Sequence, residues 1–214
     1  YNTAITASEV KQLYNLTRSY HGYLEDVRFY GSSLTQAQAI SLYKMRGSNA
    51  ERKEPVAHFT MNEITGDGKL KDISIEANHG TINSGPSFAT DRHGNPQGAI
   101  DFDGTDDYIE VPYHDSLDVS DENQLTISVW VYADDWGSYS YIVHAGVPGG
   151  ASSTYSYRFA VTGGAHPTDG LPYFYNHSGS VIESTTQLSV QNWHHLVLTC
   201  DGTIRKIYII FLYS

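Results

Sequence analysis

The chain has 214 residues, a formal charge of −11 and one cysteine. So acidic a chain lacks the cationic footprint that nucleic acid requires. A single cysteine forbids an intramolecular disulfide, and no segment approaches the roughly 18 apolar residues of a membrane span. Seventeen Tyr and 19 Gly against 17% charged residues suit twisted antiparallel sheets and tight turns. An acidic surface keeps the protein in solution and suits cations or neutral ligands such as sugars.

The first fifty residues hold an imperfect repeat. Residues 1–14 align with 30–43, and each copy carries a helix-start pattern. Thr6 with Glu9, and Thr35 with Gln38, have capping-box spacing, with Ile5 and Leu34 at the staple position. Val10, Leu13 and Tyr14, like Ala39, Leu42 and Tyr43, follow helical spacing. The pattern predicts one or two short helices in this N-terminal segment. Between the copies lies Gly22-Tyr-Leu-Glu-Asp-Val-Arg-Phe-Tyr30, which reads as a strand. Strict alternation would put Leu24, Asp26, Arg28 and Tyr30 on one face and Tyr23, Glu25, Val27 and Phe29 on the other. Residues 48–55 are polar and read as a linker.

Downstream, strand-like stretches alternate with acidic, Gly-rich turns. Val56–Met61 opens the series. Gln97–Pro112, Leu125–Val131 and Trp193–Gly202 each alternate apolar with polar residues, the period of half-buried strands. Taken together, Gly22–Tyr30, Val56–Met61, Gly66, Asp72, His79-Gly80 and these three stretches resemble the laminin-G-like branch of the concanavalin-A-like jelly rolls. The resemblance covers about three quarters of the chain. It implies an all-β jelly-roll β-sandwich over residues 56–214. Gly22–Tyr30 resembles the last strand of such domains, followed by its short helix, yet here it precedes the body. The body stops after Tyr208 without the usual C-terminal strands. Residues 1–47 therefore read as tail-like repeats under three arrangements: they belong to preceding domains of a longer chain, they close this sheet by permutation, or they complete a neighbouring subunit. Tyr1 is not a natural start, so the chain reads as a mature or excised piece.

The sites follow from residue chemistry. Sugar recognition needs aromatic faces for pyranose rings and planar polar groups for hydroxyls. Trp136, Tyr139, Tyr141, Tyr155, Tyr157, Arg158, Tyr173, Tyr175 and Asn176 offer both. Trp136 follows two Asp in a loop, which predicts exposure; Trp130 and Trp193 sit in alternating runs and read as core. The acidic cluster Asp101, Asp103, Asp106 and Asp107, with Gly104 at the turn, offers hard oxygen ligands that suit calcium, Asp103, Asp106 and Asp107 above all, or else bonds local amides of a hairpin turn. From the resemblance, Asp26, Asp72 and Glu63 fall where the family's structural cation is held, provided the front strand closes this domain. Cys200 reads as a small buried hydrophobe. Asn15-Leu-Thr17 and Asn176-His-Ser178 match the glycosylation pattern.

Enzyme readings lack support. The paired strand carboxylates of glycosidases are absent, as are the nucleophile elbow, the zinc-protease motif and the P-loop. His194-His195 reads as structural strand. The expectation is a non-catalytic, secreted or surface module binding a glycan or extracellular glycoprotein, with calcium as a structural ion. A subunit that forms homo-oligomers by strand exchange is the alternative, and an accessory fragment of a polysaccharide-degrading enzyme the third.

Overall fold

The computed structural model describes residues 13–18, 20–44, 54–117, 124–137, 139–146, 155–164, 166–176 and 181–211; for 13–18, 44, 139, 155, 156 and 211 it describes the backbone alone. The N-terminal part holds β1 (Leu13–Arg18), β2 (His21–Tyr30) and α1 (Gln36–Lys44). Then come β3 (Ala57–Ile64), β4 (Leu70–Asp72), β5 (Thr81–Asn83), β6 (Ser87–Ala89), β7 (Ala99–Asp103) and β8 (Tyr108–Val111). The remainder is β9 (Gln124–Ala133), β10 (Tyr139–Gly146), β11 (Tyr155–Thr162), β12 (Pro172–Asn176), β13 (Val181–Glu183), β14 (Trp193–Asp201) and β15 (Arg205–Phe211).

The strands build two antiparallel sheets. Sheet 1 runs β13-β12-β11-β10-β1-β8-β5, and sheet 2 runs β15-β14-β9-β2-β3-β4, with β7 on β2 and β6 on β7. Between them lies one apolar core that includes Leu24, Phe59, Phe102, Ile127, Ile142, Phe159 and Leu198. This is a jelly-roll β-sandwich.

The upstream segment is woven into it. β1 lies between β8 and β10 in sheet 1. β2 pairs with β9 on one side; on the other, His21–Leu24 pairs with β7 and Val27–Phe29 with β3. Gly22–Tyr30 thus pairs within a sheet of its own chain. Leu13 and Tyr14, read as helical, belong to β1, while residues 1–12 and 45–53 lie outside the described residues. The pairing available between β8 and β10 outweighs a weak local helical preference.

The second copy does form a helix. Thr35 Oγ1 accepts the Gln38 amide at 3.3 Å, and Gln38 Oε1 accepts the Thr35 amide at 2.9 Å, a closed capping box. Leu34, Ala39 and Leu42 bury their side chains against Tyr30 and Val197. α1 therefore lies on the outer face of sheet 2.

Strict alternation fails in β2. The register against β9 shifts between Glu25 and Arg28, and Asp26 takes a φ of 51°. This β-bulge adds one residue to the strand. Leu24 joins Val27 and Phe29 in the core, while Glu25, Asp26 and Arg28 share the outer face. Gly22 enters the same strand at φ 143°. A Cβ there would overlap the Tyr132 carbonyl oxygen and lie 2.8 Å from Ala133 Cα. Gly22→Ala should cost about 2–3 kcal/mol of stability in equilibrium urea unfolding. A change within about 0.5 kcal/mol, the range of ordinary surface substitutions, would mean β2 is not held this tightly against β9.

Candidate ligand-binding face and acidic clusters

The outer face of sheet 1 gathers several of the predicted sugar-binding residues. In register, His144 stands opposite Arg158, and Arg158 opposite Tyr175. The next row is Tyr141, Ala160 and Tyr173. A register shift in β10 between Tyr141 and Val143 turns both Tyr141 and His144 outward. Their rings stack at 6.0 Å, and the Arg158 guanidinium lies 5.2 Å from the Tyr141 ring. Tyr141, His144, Arg158, Tyr173 and Tyr175 are all half-buried. The result is a surface of aromatic rings around a guanidinium and an imidazole.

Three predicted members do not belong to this surface. Tyr157 points into the core, 2% exposed, with its ring 6.1 Å from Phe174. Asn176 pairs with Tyr157 and so shares the inward face at the end of β12. Trp136 packs against the core, and its indole N–H donates to the Leu188 carbonyl at 3.3 Å. The tight loops at Gly163 and Gly170 close over it, which two preceding Asp could not reveal. The side chains of Tyr139 and Tyr155 lie outside the described residues.

The carboxylates expected from the resemblance are occupied by protein donors. Asp72, 2% exposed, accepts four hydrogen bonds at 2.8 Å, from the amides of His58, Ser74 and Asn78 and from Ser74 Oγ. Asp26 accepts from Arg28 at 2.9 Å through both oxygens and pairs with His58 Nε2 at 2.8 Å. Asp26 and Asp72 thus do approach one another, but His58 bridges them where a cation was expected. Glu63 is exposed and pairs with Lys71 at 2.6 Å. At the β7–β8 turn, Asp103, Asp106 and Asp107 each offer an oxygen, all within 4.8 Å of one another. Here too local amides are engaged: Asp103 accepts from Thr105 and Asp106, and Asp107 accepts from Asp103.

On the outer face of sheet 2, Trp130 is buried, though not between the sheets. Tyr43 of α1 stacks on it at 5.5 Å, His195 at 4.8 Å, and Arg92 sits 4.3 Å above the ring. Arg92 also pairs with Glu25. His195, 1% exposed, holds Ser128 Oγ at 2.8 Å through Nε2. His194 faces the other way, with Nε2 2.9 Å from the Ser189 carbonyl. Cys200 is buried, and burial pushes its thiol up to about 11, so it stays an unreactive hydrophobe. Beyond the end of α1 lies a row that sequence reading missed. Trp193, Tyr132 and Tyr23 stand in register across β14, β9 and β2, followed by Asp101 on β7.

The two sheets define the class of antiparallel jelly-roll β-sandwich domains. A family model described as the concanavalin A-like lectin/glucanases superfamily, Laminin_G_3, matches residues 103–209, half of the chain. The chain belongs to that superfamily. No curated protein and no solved structure matches it. The matched span begins at the last residue of β7, so β1 and β2 complete both sheets from outside it.

The buried cluster predicts acid sensitivity. Burial holds the His195 imidazole down to about 3, against the pull of Asp26. The unfolded chain takes this proton near the usual imidazole value, and the folded chain only near 3. His195 therefore costs nothing above about pH 6.5 and destabilises progressively as pH falls from there, by about 5 kcal/mol over the whole window. Asp26 acts lower. Burial alone would raise its carboxyl, but the hydrogen bond from His58 and the Arg28 charge hold it far below the usual range. Its contribution is present above about pH 4 and lost beneath it. Melting temperatures taken across pH should fall less steeply for His195→Gln than for the wild type between about pH 6.5 and 4. Parallel slopes would rule out the buried imidazole as the cause.

Proposed function

We propose that the domain is a non-catalytic carbohydrate-binding or adhesion module, acting outside the cell within a larger secreted or surface protein. Its glycan seats across β10, β11 and β12 on the outer face of sheet 1. The observation that supports this best is the pair of adjacent rows, His144–Arg158–Tyr175 and Tyr141–Ala160–Tyr173. Tyrosine faces suit the apolar side of a pyranose ring, and Arg158 and His144 present planar donors to its hydroxyls. The small Ala160 keeps the centre of the second row low. A glycoprotein carrying such a glycan is the natural partner.

Calcium belongs to the same proposal in a structural role. Its place is the β7–β8 turn, where three carboxylates converge. The alternative, an assembly subunit, draws on a different observation: among the described residues β15 pairs with β14 on one side only and presents an edge strand rich in Ile.

A glycan array on the purified chain, run in calcium and again in EDTA, tests the reading. A coherent set of sugars should bind. Tyr175→Ala and Arg158→Ala should each weaken binding at least tenfold, about 1.4 kcal/mol. Loss of binding in EDTA, reproduced by Asp106→Asn, would support the ion. No binding in either buffer from a folded chain would sink the glycan reading, and a mass that rises with concentration would then favour assembly.

A further inference from the structure

The row on the outer face of sheet 2 carries a site of its own. Tyr23 and Tyr132 stack at 5.0 Å with planes 7° apart, and Trp193 leans on both, 5.6 Å from Tyr132 and 6.4 Å from Tyr23. All three side chains are half-buried, and the ring contacts of Tyr43 on α1 fall on the neighbouring Trp130 and His195. One face of Tyr23 is taken by Tyr132. The opposite face looks toward β7, where the in-register neighbour is Asp101. An aspartate is too short to cover a tyrosine ring. A ligand ring standing above Asp101 would extend the stack by one strand spacing, about 4.8 Å.

The charge at that point selects the ligand. The Asp101 carboxylate is half-buried and accepts no hydrogen bond among the described residues. Asp103 lies two residues further along the same strand, opposite His21, and the Asp134 amide donates to the His21 carbonyl at 3.0 Å, so two more carboxylates share this corner. The cations nearby are already committed. His21 holds Asp135 at 2.9 Å, and Arg92 holds Glu25. This edge of the sheet therefore carries surplus negative charge beside an uncovered aromatic face. A neutral sugar would satisfy the ring and leave the carboxylates repelling one another. A cation on a ring satisfies both, through an ion pair and a cation–π contact.

We propose that Tyr23 and Asp101, backed by Tyr132 and Trp193, form a second ligand site that takes a sugar ring bearing a protonated amine. It lies on the opposite outer face of the sandwich from Tyr141 and Tyr175 and stands or falls independently of that surface.

Calorimetric titration with a β-1,4-linked glucosamine tetramer tests it. The controls are the N-acetylated tetramer, the corresponding neutral glucose tetramer and tetralysine. The amine-bearing sugar should bind at least tenfold tighter than the three controls. Asp101→Asn should weaken it tenfold or more, and so should Tyr23→Leu, each variant checked for folding by circular dichroism. Asp67→Asn, on the distant β3–β4 turn, should leave binding unchanged, as should Tyr175→Ala. Equal binding of the acetylated or neutral sugar would overturn the amine requirement. Equal binding of tetralysine would make this a surface for basic peptides and overturn the sugar assignment. Equal losses from Asp67→Asn and Asp101→Asn would reduce the effect to net charge. Loss on Tyr175→Ala would move the ligand to sheet 1, and no binding at all would end the proposal.

Discussion

The sandwich hangs on the bulge in β2. β2 runs between β9 on one side and β7 and β3 on the other, so every described strand of sheet 2 but β15 pairs with it or with one of its partners. A left-handed residue within a strand is strained by roughly 1–3 kcal/mol, though Asp tolerates that region better than most. The surroundings offset the strain. Arg28 closes a two-pronged ion pair onto Asp26, and His58 ties the same carboxylate to β3. Charge-assisted bonds of this type are about twice as strong as neutral ones. Asp72 then holds the His58 amide and the loop after β4. One irregular residue thus fixes which face of β2 is core, and a chain of carboxylates carries that choice into the next two strands.

The two outer faces have diverged under this constraint. Part of the outer face of sheet 2 is roofed by α1, whose capping box and apolar stripe lock it over Val197 and Tyr30. What remains uncovered is a narrow aromatic row at an acidic edge. Sheet 1 presents instead a broader surface with Arg158 and His144 at its centre. The formal charge of −11 describes neither face. Steering and selectivity follow local potential, so one scaffold can offer a cationic aromatic surface on one side and an anionic aromatic notch on the other.

How much of this was legible in the sequence depends on the distance over which each feature is encoded. Residues 125–131 alternate cleanly and form β9, and Thr35 with Gln38 closes the box that their spacing implies. These signals are local. The failures are long-range. Residues 13–14 fit a helical spacing but find a better partner in sheet 1. Trp136 looks like a loop aromatic until the Leu188 carbonyl, fifty-two positions away, claims its N–H. Tyr157 reads as a ligand-facing ring by its chemistry, yet beside a register shift it lies in the core. Tyr23, Tyr132 and Trp193 became neighbours only once three strands had chosen their register. A period of two gives the face relative to a neighbour, not which face a bulge will select.

The bulge also bears on catalysis. It brings Glu25 and Asp26 to the same outer face, where alternation would have kept them apart. Their environments push the two carboxyls in opposite directions. Burial raises Glu25 despite Arg92, while His58 and Arg28 overcome burial to depress Asp26. Such divergence is one mark of an acid and base pair, and the superfamily's description includes glucanases. The surroundings favour a structural account. Glu25 is 8% exposed at its side chain and lies beneath Arg92, itself seated on Trp130. Asp26 has both oxygens committed to cationic or imidazole donors. A glycosidase needs about 5–10 Å between carboxyl groups that both reach the sugar, and a guanidinium plugs this approach. The divergence follows from packing two carboxylates against different cations, which is what the bulge requires to hold β2 in place.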